Sequence, residues 1–466
     1  MTSASRDGVR RFDQDGVAVL CIDNPPINAI NVAVRAALDR ALDGIATEAG
    51  TAGVVIASAG RMFSGGGDLR EIGQAAPAGG PTMTELGARI EAFAKPVAVA
   101  IHGRAIGGGI LLSLACHGRL GTHDATIALP EVRLGFVPGA GGTQRLPRLV
   151  GIDAALEMIA LAKSLDATTA LAAGFFDEIA EQPDSLIDAA VRRVRAIADG
   201  RLPWRRTSSL DVPAADEGAA QRSAERYRTL AADAFPGRAA PQAAIGLVLD
   251  ALHHRFVEGL ARERAAFERL SNSLETRALL HLFFAERALG RHEAPSRRPA
   301  LSVPTSVRLV TSPRQPQSRF VEVVCAGDVD AGAMQAALDE AKAMRRLPIV
   351  VRDASIIERL EAAYLAAAAT LERQGVSRQA ISAAASAEGL PPPFPGASPA
   401  RPAAEPRIAA SLLEAFVSTA RACLAAGMVS RAGDIDVIAV EACGFPAIRG
   451  GPLFYAESHA DSTTRL

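Results

Sequence analysis

The sequence predicts an α/β first half built on buried strands, then a mostly helical second half that holds one isolated β-α-β unit. Three observations carry this. Continuous apolar runs at residues 17–22 (VAVLCI), 53–57 (GVVIA) and 97–101 (VAVAI) are too short for helices and read as strands buried on both faces. Two of them run into glycine-rich turns that head helical patterns, at 60–68 (GRMFSGGGD) and 103–109 (GRAIGGG). Beyond Gly151 the spacing becomes mostly helical.

Taken in order, the first strand ends at the turn Asp23-Asn24-Pro25-Pro26. A helix follows over 31–45, with apolar positions at Val34, Leu38, Leu42 and Ile45. Residues 172–180 read as a short strand-turn region, and 242–289 as one long amphipathic helical stretch. Its Arg and Glu residues are expected to be solvated faces with local ion pairs. A Pro/Ser/Arg-rich linker is expected over 292–318, then strands at 319–324 and 348–351 around a helix at 331–344. That β-α-β unit is too small to hold a core alone. The alanine-rich tail contains a weak repeat, with 375–396 resembling 427–450: a small turn, Val-Ser-Arg, a helix and a proline-containing exit.

Composition excludes several classes. A chain of 466 residues is too long for one ordinary core, so two or three domains are expected. Its 49% hydrophobic and 22% charged residues suit a globular protein, and a net charge of -1 favours neither nucleic acid nor membrane surfaces. The five cysteines lack CxxC spacing and sit in apolar contexts, as buried reduced thiols would; no metal role is expected. No apolar signal core opens the chain and no apolar run is read as membrane-length, so a cytoplasmic location is expected.

The chemistry concentrates in residues 103–151, where two glycine-rich turns flank one acidic residue, Glu131. A glycine triplet opening a helix lets backbone approach a ligand and aims free N–H groups and the positive helix end at it. Such a place suits negative charge developing on a thioester or carbonyl oxygen. Asp68 and Glu71 are the acidic residues of the earlier turn, and Asp68 reads as a helix cap.

NPPINAI at 24–30, GRMFSGGGDLREI at 60–72, ACHGR at 115–119 and PGAGGTQRLPRLVG at 138–151 resemble the enoyl-CoA hydratase/isomerase (crotonase) family. The likeness extends to the multifunctional fatty-acid oxidation enzymes through FVEGLARERAAFERL, HLFFAER and GFPAIRGGPLFYA, and so covers nearly the whole chain. The resemblance implies a crotonase core, a superhelix of ββα turns, over 1–190, with a helical region and long connecting helix over 191–291. After the linker, 319–352 would be a remnant of a dinucleotide-binding domain, and 353–466 an all-α 3-hydroxyacyl-CoA dehydrogenase-type domain.

The resemblance also implies an acyl-CoA substrate whose thioester oxygen lies between the N–H groups of Gly67 and Gly108. Ala29, Gly65, Asp68, Leu111 and Gly139 would line the substrate. Hydratases of the family use two glutamates. One matches Glu131, but Leu111 stands where the other belongs, and leucine cannot hold or polarise water. A single carboxylate over two N–H donors suits double-bond migration, so a Δ3-to-Δ2 enoyl-CoA isomerase is the leading expectation. A weak 2-enoyl-CoA hydratase and a degenerate acyl-CoA-binding scaffold are the rivals. The family's G-x-G-x-x-G turn is missing after Arg287, and its Gly-Asn dipeptide reads Arg352-Asp353-Ala354-Ser355; NAD binding and dehydrogenase activity are expected to be lost. Beyond the acyl-CoA no cofactor, nucleic acid or membrane is expected, and the protein would be a homo-oligomer or a monomer.

Overall fold

The computed structural model describes residues 8–74, 79–213, 216–289, 307–327, 329–394 and 405–463, which fall into two compact units, Met1–Ser273 and Leu274–Leu466. In the first unit β1 (Val9–Gln14) and β2 (Val17–Ile22) form an antiparallel hairpin. Its turn is Asp15-Gly16, both at positive φ (49° and 73°), as a two-residue hairpin turn requires. The hydropathy pattern misses β1 because VRRFDQ is an edge strand with no fully buried residue.

Next come α1 (Val32–Thr47), β3 (Gly53–Ser58), α2 (Met83–Ala92), β4 (Val97–Ile101), β5 (Arg104–Ile106) and α3 (Gly108–Leu114). They are followed by β6 (Gly118–Gly121), β7 (Thr126–Ala128), a 3-10 turn (Glu131–Leu134), α4 (Gly142–Ala160), β8 (Leu165–Asp166), α5 (Ala167–Ala172) and β9 (Glu178–Ile179). The unit closes with α6 (Leu186–Ala198), α7 (Glu217–Ala234), α8 (Ala239–His253) and α9 (Phe256–Ser271). Asn31 caps α1 through its side chain, and Thr82 with Glu85 forms a capping box on α2.

Two sheets layer this unit. The larger runs β1-β2-β3-β4-β6-β9 and is parallel beyond the hairpin; the smaller runs β5-β7-β8. Alternation along β2 sends Ala18, Leu20 and Ile22 into the main core, while Val17 and Val19 pack with Val191 and Val194 of α6. The chain advances in repeated turns: a strand of the large sheet, a bend, a short strand of the small sheet, then a helix. β4-β5-α3 and β6-β7-3-10 follow this plan, and after β3 Ser64 supplies the second strand as a single bridge to Ala105. This is an α/β unit of repeated strand-strand-helix turns, and a helix-rich part follows it in the chain.

The second unit contains α10 (Leu274–Leu289), β10 (Val307–Val310), β11 (Phe320–Cys325), α11 (Ala331–Ala343) and β12 (Leu347–Arg352). α12 (Ile356–Arg373), α13 (Arg378–Ala387), α14 (Pro406–Ala425), α15 (Ala432–Glu441) and α16 (Pro452–Thr463) complete it. β11 and β12 are parallel around α11, and β10 adds antiparallel to β11. One face of this sheet (Phe320, Val324, Ile349, Val351) joins the helical core, which is how so small a unit is buried.

Several expectations change here. The stretch 242–289 is three helices, α8, α9 and α10, and the boundary between units falls at 273/274, so α10 belongs to the second unit instead of a region ending at 291. Of the expected linker, 292–306 lies outside the described residues and 307–310 is strand β10. α14 is long and apolar enough to cross a membrane by length and composition, contrary to the reading of the sequence. It is amphipathic within this unit: Ile408, Leu412, Phe416 and Ala420 are buried, while Ser411, Glu414 and Ser418 are exposed. α13 and α15, the helices of the two repeats, both pack on α12 and α14. Their exits meet reciprocally, Gly389 against Pro446 and Gly444 against Pro391.

Candidate active site

The repeated turns explain how residues distant in sequence meet. Ser64, β5 and β7 are neighbouring parallel strands of the small layer, about 4.8 Å apart. Ile106 N donates to Ser64 O (3.0 Å) and Gly107 N to Ala128 O (2.9 Å), so the three strand ends stay level. Directly beyond each end the chain enters a helical turn, and there stand Gly67, Gly108 and Glu131. Three successive turns of one spiral therefore place these residues side by side.

The contacts are close. A methyl on Gly108 would lie 2.7 Å from Gly67 N, so only glycine lets these two backbone segments touch. Gly107 has φ 49°, and a methyl there would stand 3.0 Å from Glu131 Oε1. Among the described residues neither Gly67 N nor Gly108 N has an acceptor. Gly108 is the first residue of α3, so its N–H is one of the donors a helix leaves open. Two such donors stabilise an oxyanion by roughly 3 kcal/mol each.

Glu131 is buried, and its Oε2 has no hydrogen-bond partner. Burial pushes its carboxyl up to about 8, with the charge of Glu263 acting in the same sense. Leu111 is buried one turn into α3 and packs against Gly142 so closely that a methyl on Gly142 would lie 2.5 Å from Leu111 Cδ2. Leu111 thus presents hydrocarbon beside the site.

The remaining sequence-derived positions frame this centre. Gly65 N donates to Ile27 O (2.7 Å) and Ile30 N to Gly66 O (2.8 Å), which ties the 24–30 segment, with Ala29, to the first glycine turn. Asn28 reinforces the tie through Nδ2 to Ala59 O (2.7 Å) and Met62 O (3.0 Å), while its own carbonyl accepts from Ser64 Oγ (2.7 Å). Asp68 caps the 3-10 turn Leu69–Glu71 and pairs with Arg70, and that pairing holds its carboxyl below the usual range. Glu71 pairs with Arg35 (2.9 Å) and accepts from Val32 N. Neither carboxylate is free for chemistry. Gly139 lies under the ring of Phe267, which meets Phe136 edge-on at 5.8 Å.

Sequence reasoning misses Glu263. It was expected on a solvated face of α9, yet it is buried and its carboxylate holds the head of α4. The signal was present: Gly259, Glu263, Phe267 and Leu270 recur at helical spacing, which puts the glutamate on the apolar stripe. His117, in the ACHGR motif, is structural. Its Nδ1 accepts from Val97 N (2.9 Å) and its Nε2 lies 3.1 Å from Glu91 O.

Residues 13–230 match the family described as Enoyl-CoA hydratase/isomerase. The chain is similar to the peroxisomal bifunctional enzyme of Danio rerio, 36% identical over 282 residues, covering 60% of this chain and 38% of that protein. It is also similar to the glyoxysomal fatty acid beta-oxidation multifunctional protein MFP-a of Cucumis sativus, 34% identical over 291 residues, 60% of this chain and 39% of that protein. The matched region thus spans well under half the length of these relatives. Among solved structures, the chain is similar to a carnitinyl-CoA dehydratase from Mycobacterium thermoresistibile, with 21% identity, a TM-score of 0.48, and coverage of 60% and 90% of the two chains.

Proposed function

We propose that this chain, whose residues 13–230 are an enoyl-CoA hydratase/isomerase domain, is an isomerase that moves the double bond of a 3-enoyl-CoA to the 2-position, as fatty-acid oxidation requires. The observation that supports it best is a lone unpaired carboxylate, Glu131, beside two N–H groups without acceptors. The thioester oxygen sits between Gly67 N and Gly108 N. Glu131 removes a proton from C2, the charge moves onto the thioester oxygen, and the same carboxyl returns the proton to C4. One proton leaves and one returns, so no water and no cofactor is consumed.

Leu111 argues against hydration, since a hydratase must hold and deprotonate water. Glu263, a further buried carboxylate whose charge acts on Glu131, has its oxygens engaged by three donors. Ala29, Gly65, Asp68 and Gly139 belong to the surrounding wall in this reading, and their share in binding is backbone contact. No nicotinamide step is assigned, because the sequence after α10 lacks a G-x-G-x-x-G turn. The β10-β11-β12 sheet is read as what is left of a nucleotide-binding domain, and α12 to α16 as a dehydrogenase-type helical domain.

The test is conversion of a 3-enoyl-CoA to the 2-trans product by the full chain. Glu131→Gln should lose about 10²- to 10⁴-fold in rate. Equal inertness of the wild type and Glu131→Gln would defeat the proposal. Crotonyl-CoA hydration faster than isomerisation would put water chemistry first.

A further inference from the structure

α9 turns one face toward the site, and two residues four apart on that face reach the same turn. Glu263 is 1% exposed and accepts from Gly141 N (2.6 Å), Thr143 N (2.8 Å) and Thr143 Oγ1 (2.7 Å). Phe267 covers Gly139. Between them, residues 139–142 are held from the α9 side. Their other side carries the contact of Gly142 with Leu111, whose helix α3 begins at Gly108.

We propose that Glu263 is a positioning residue for the reaction assigned to Glu131: by clamping the head of α4 it fixes the 139–142 turn against Leu111, and so fixes the wall of the pocket in which Glu131 works. This rests on the isomerase reading. Glu263 is not a second base. To hold a water it would have to release two backbone N–H groups at a buried helix end, at a cost of roughly 1–3 kcal/mol for each. Its three donors instead make it a fixed anchor, and the positive end of α4 favours its charge.

The clamp also has an electrostatic consequence. Burial raises the Glu263 carboxyl to about 7, opposed by its hydrogen bonds from Thr143 and Gly141 and by Arg145. Arg145 of α4 is itself bound to the buried Glu91 of α2 (2.7 Å), and Arg145 and Arg148 both lie over the ring of Phe256. A negative Glu263 raises the Glu131 carboxyl and makes Glu131 a stronger base.

The experiment uses the full chain with Glu263→Gln, which keeps the shape but removes the charge and one acceptor. Two readouts are taken: kcat and KM for a 3-enoyl-CoA, and the ionisation midpoint of Glu131 by carbon NMR of labelled glutamate, assigned with Glu131→Gln. The expected result is a kcat about tenfold lower with KM little changed, as a displaced pocket wall predicts, and a Glu131 midpoint at lower pH. An unchanged kcat overturns the proposal whatever the midpoint does. Should Glu263→Gln fail to fold, Thr143→Val removes one donor and leaves the carboxylate. It should lower kcat severalfold while KM stays, and an unchanged kcat again overturns the clamp. Wild type that is inert on every enoyl-CoA, while the midpoint still responds to Glu263→Gln, defeats the isomerase reading and leaves the coupling standing.

Discussion

Glu131 in the first unit and Glu322 in the second are both buried carboxylates at the head of a helical segment, and they are used in opposite ways. Glu322, on β11, accepts from Ser355 Oγ (2.5 Å), Ile356 N (3.1 Å) and Ile357 N (3.0 Å), and so caps α12. Asp436 repeats the device with Leu453 N (2.8 Å), Phe454 N (3.3 Å) and His281 Nε2 (2.9 Å) at the head of α16. Glu263 does the same for α4. Glu131 alone of these four has a buried oxygen with no partner. Saturated acceptors close a structure. An unsaturated one, packed against a glycine turn whose N–H groups have no acceptor, is a cost that structure alone does not explain.

The contrast can be broken by exchanging measurements between the two sites. Glu131→Gln should remove nearly all turnover, yet hold or raise the melting temperature, because it deletes a desolvated acid that stabilises nothing. A clear loss of stability would return Glu131 to a structural role. Glu322→Ala should do the reverse. It strands two backbone donors and a hydroxyl, and should cost about 3 kcal/mol of second-unit stability in denaturant unfolding, with acyl-CoA turnover near wild type. An undiminished unfolding midpoint would show that the cap carries no load.

Acidity sharpens the contrast further. On the proposed isomerase reading turnover needs Glu131 ionised, so kcat/KM should rise about tenfold per pH unit and level above about 8. A profile flat from about pH 7 to about 9, roughly a unit either side of the bend, would dismiss it as the base. Stability should run the other way. Glu131 and Glu322 have folded-state values raised to about 8 and about 7, so the folded protein binds more protons than the unfolded chain above the ordinary carboxylate range. Stability therefore falls as pH rises from about 4.5 through those values. It is read as a decline in melting temperature with rising pH, which Glu131→Gln should flatten in part and Glu322 should continue to supply.

The elements read from the sequence are those whose signal is local. β2, β3 and β4 are continuous apolar runs, β11 is an apolar run broken only by Glu322, α1 has its helical apolar spacing, and the β11-α11-β12 unit lies where the spacing puts it. β1 and β10 escaped notice because their residues are charged or half exposed, and their partners across the hairpin or sheet supply the order. The meeting of Gly67, Gly108, Glu131 and Leu111 in one place is legible because each lies within a dense motif. Glu263 was not, because its role depends on α9 returning to the head of α4, a contact 120 residues away in sequence from Thr143. Charge on a helix says nothing about which face the fold will cover.

The level strand ends of the small layer carry one more implication. Gly67, Gly108 and Glu131 each follow their strand by a few residues, and the strands are fixed side by side by Ile106 N to Ser64 O and Gly107 N to Ala128 O. The spiral therefore works as a vernier. The segments between turns can lengthen or shorten without disturbing the reacting groups, because the hydrogen-bond ladder resets the count at every pass. A single residue inserted between Ser64 and Gly67, or between Ala128 and Glu131, cannot be reset, and would swing one group out of line with the other two. Tolerance to insertion along this half of the chain should alternate accordingly, generous in the connections and absent in the few residues that follow each short strand.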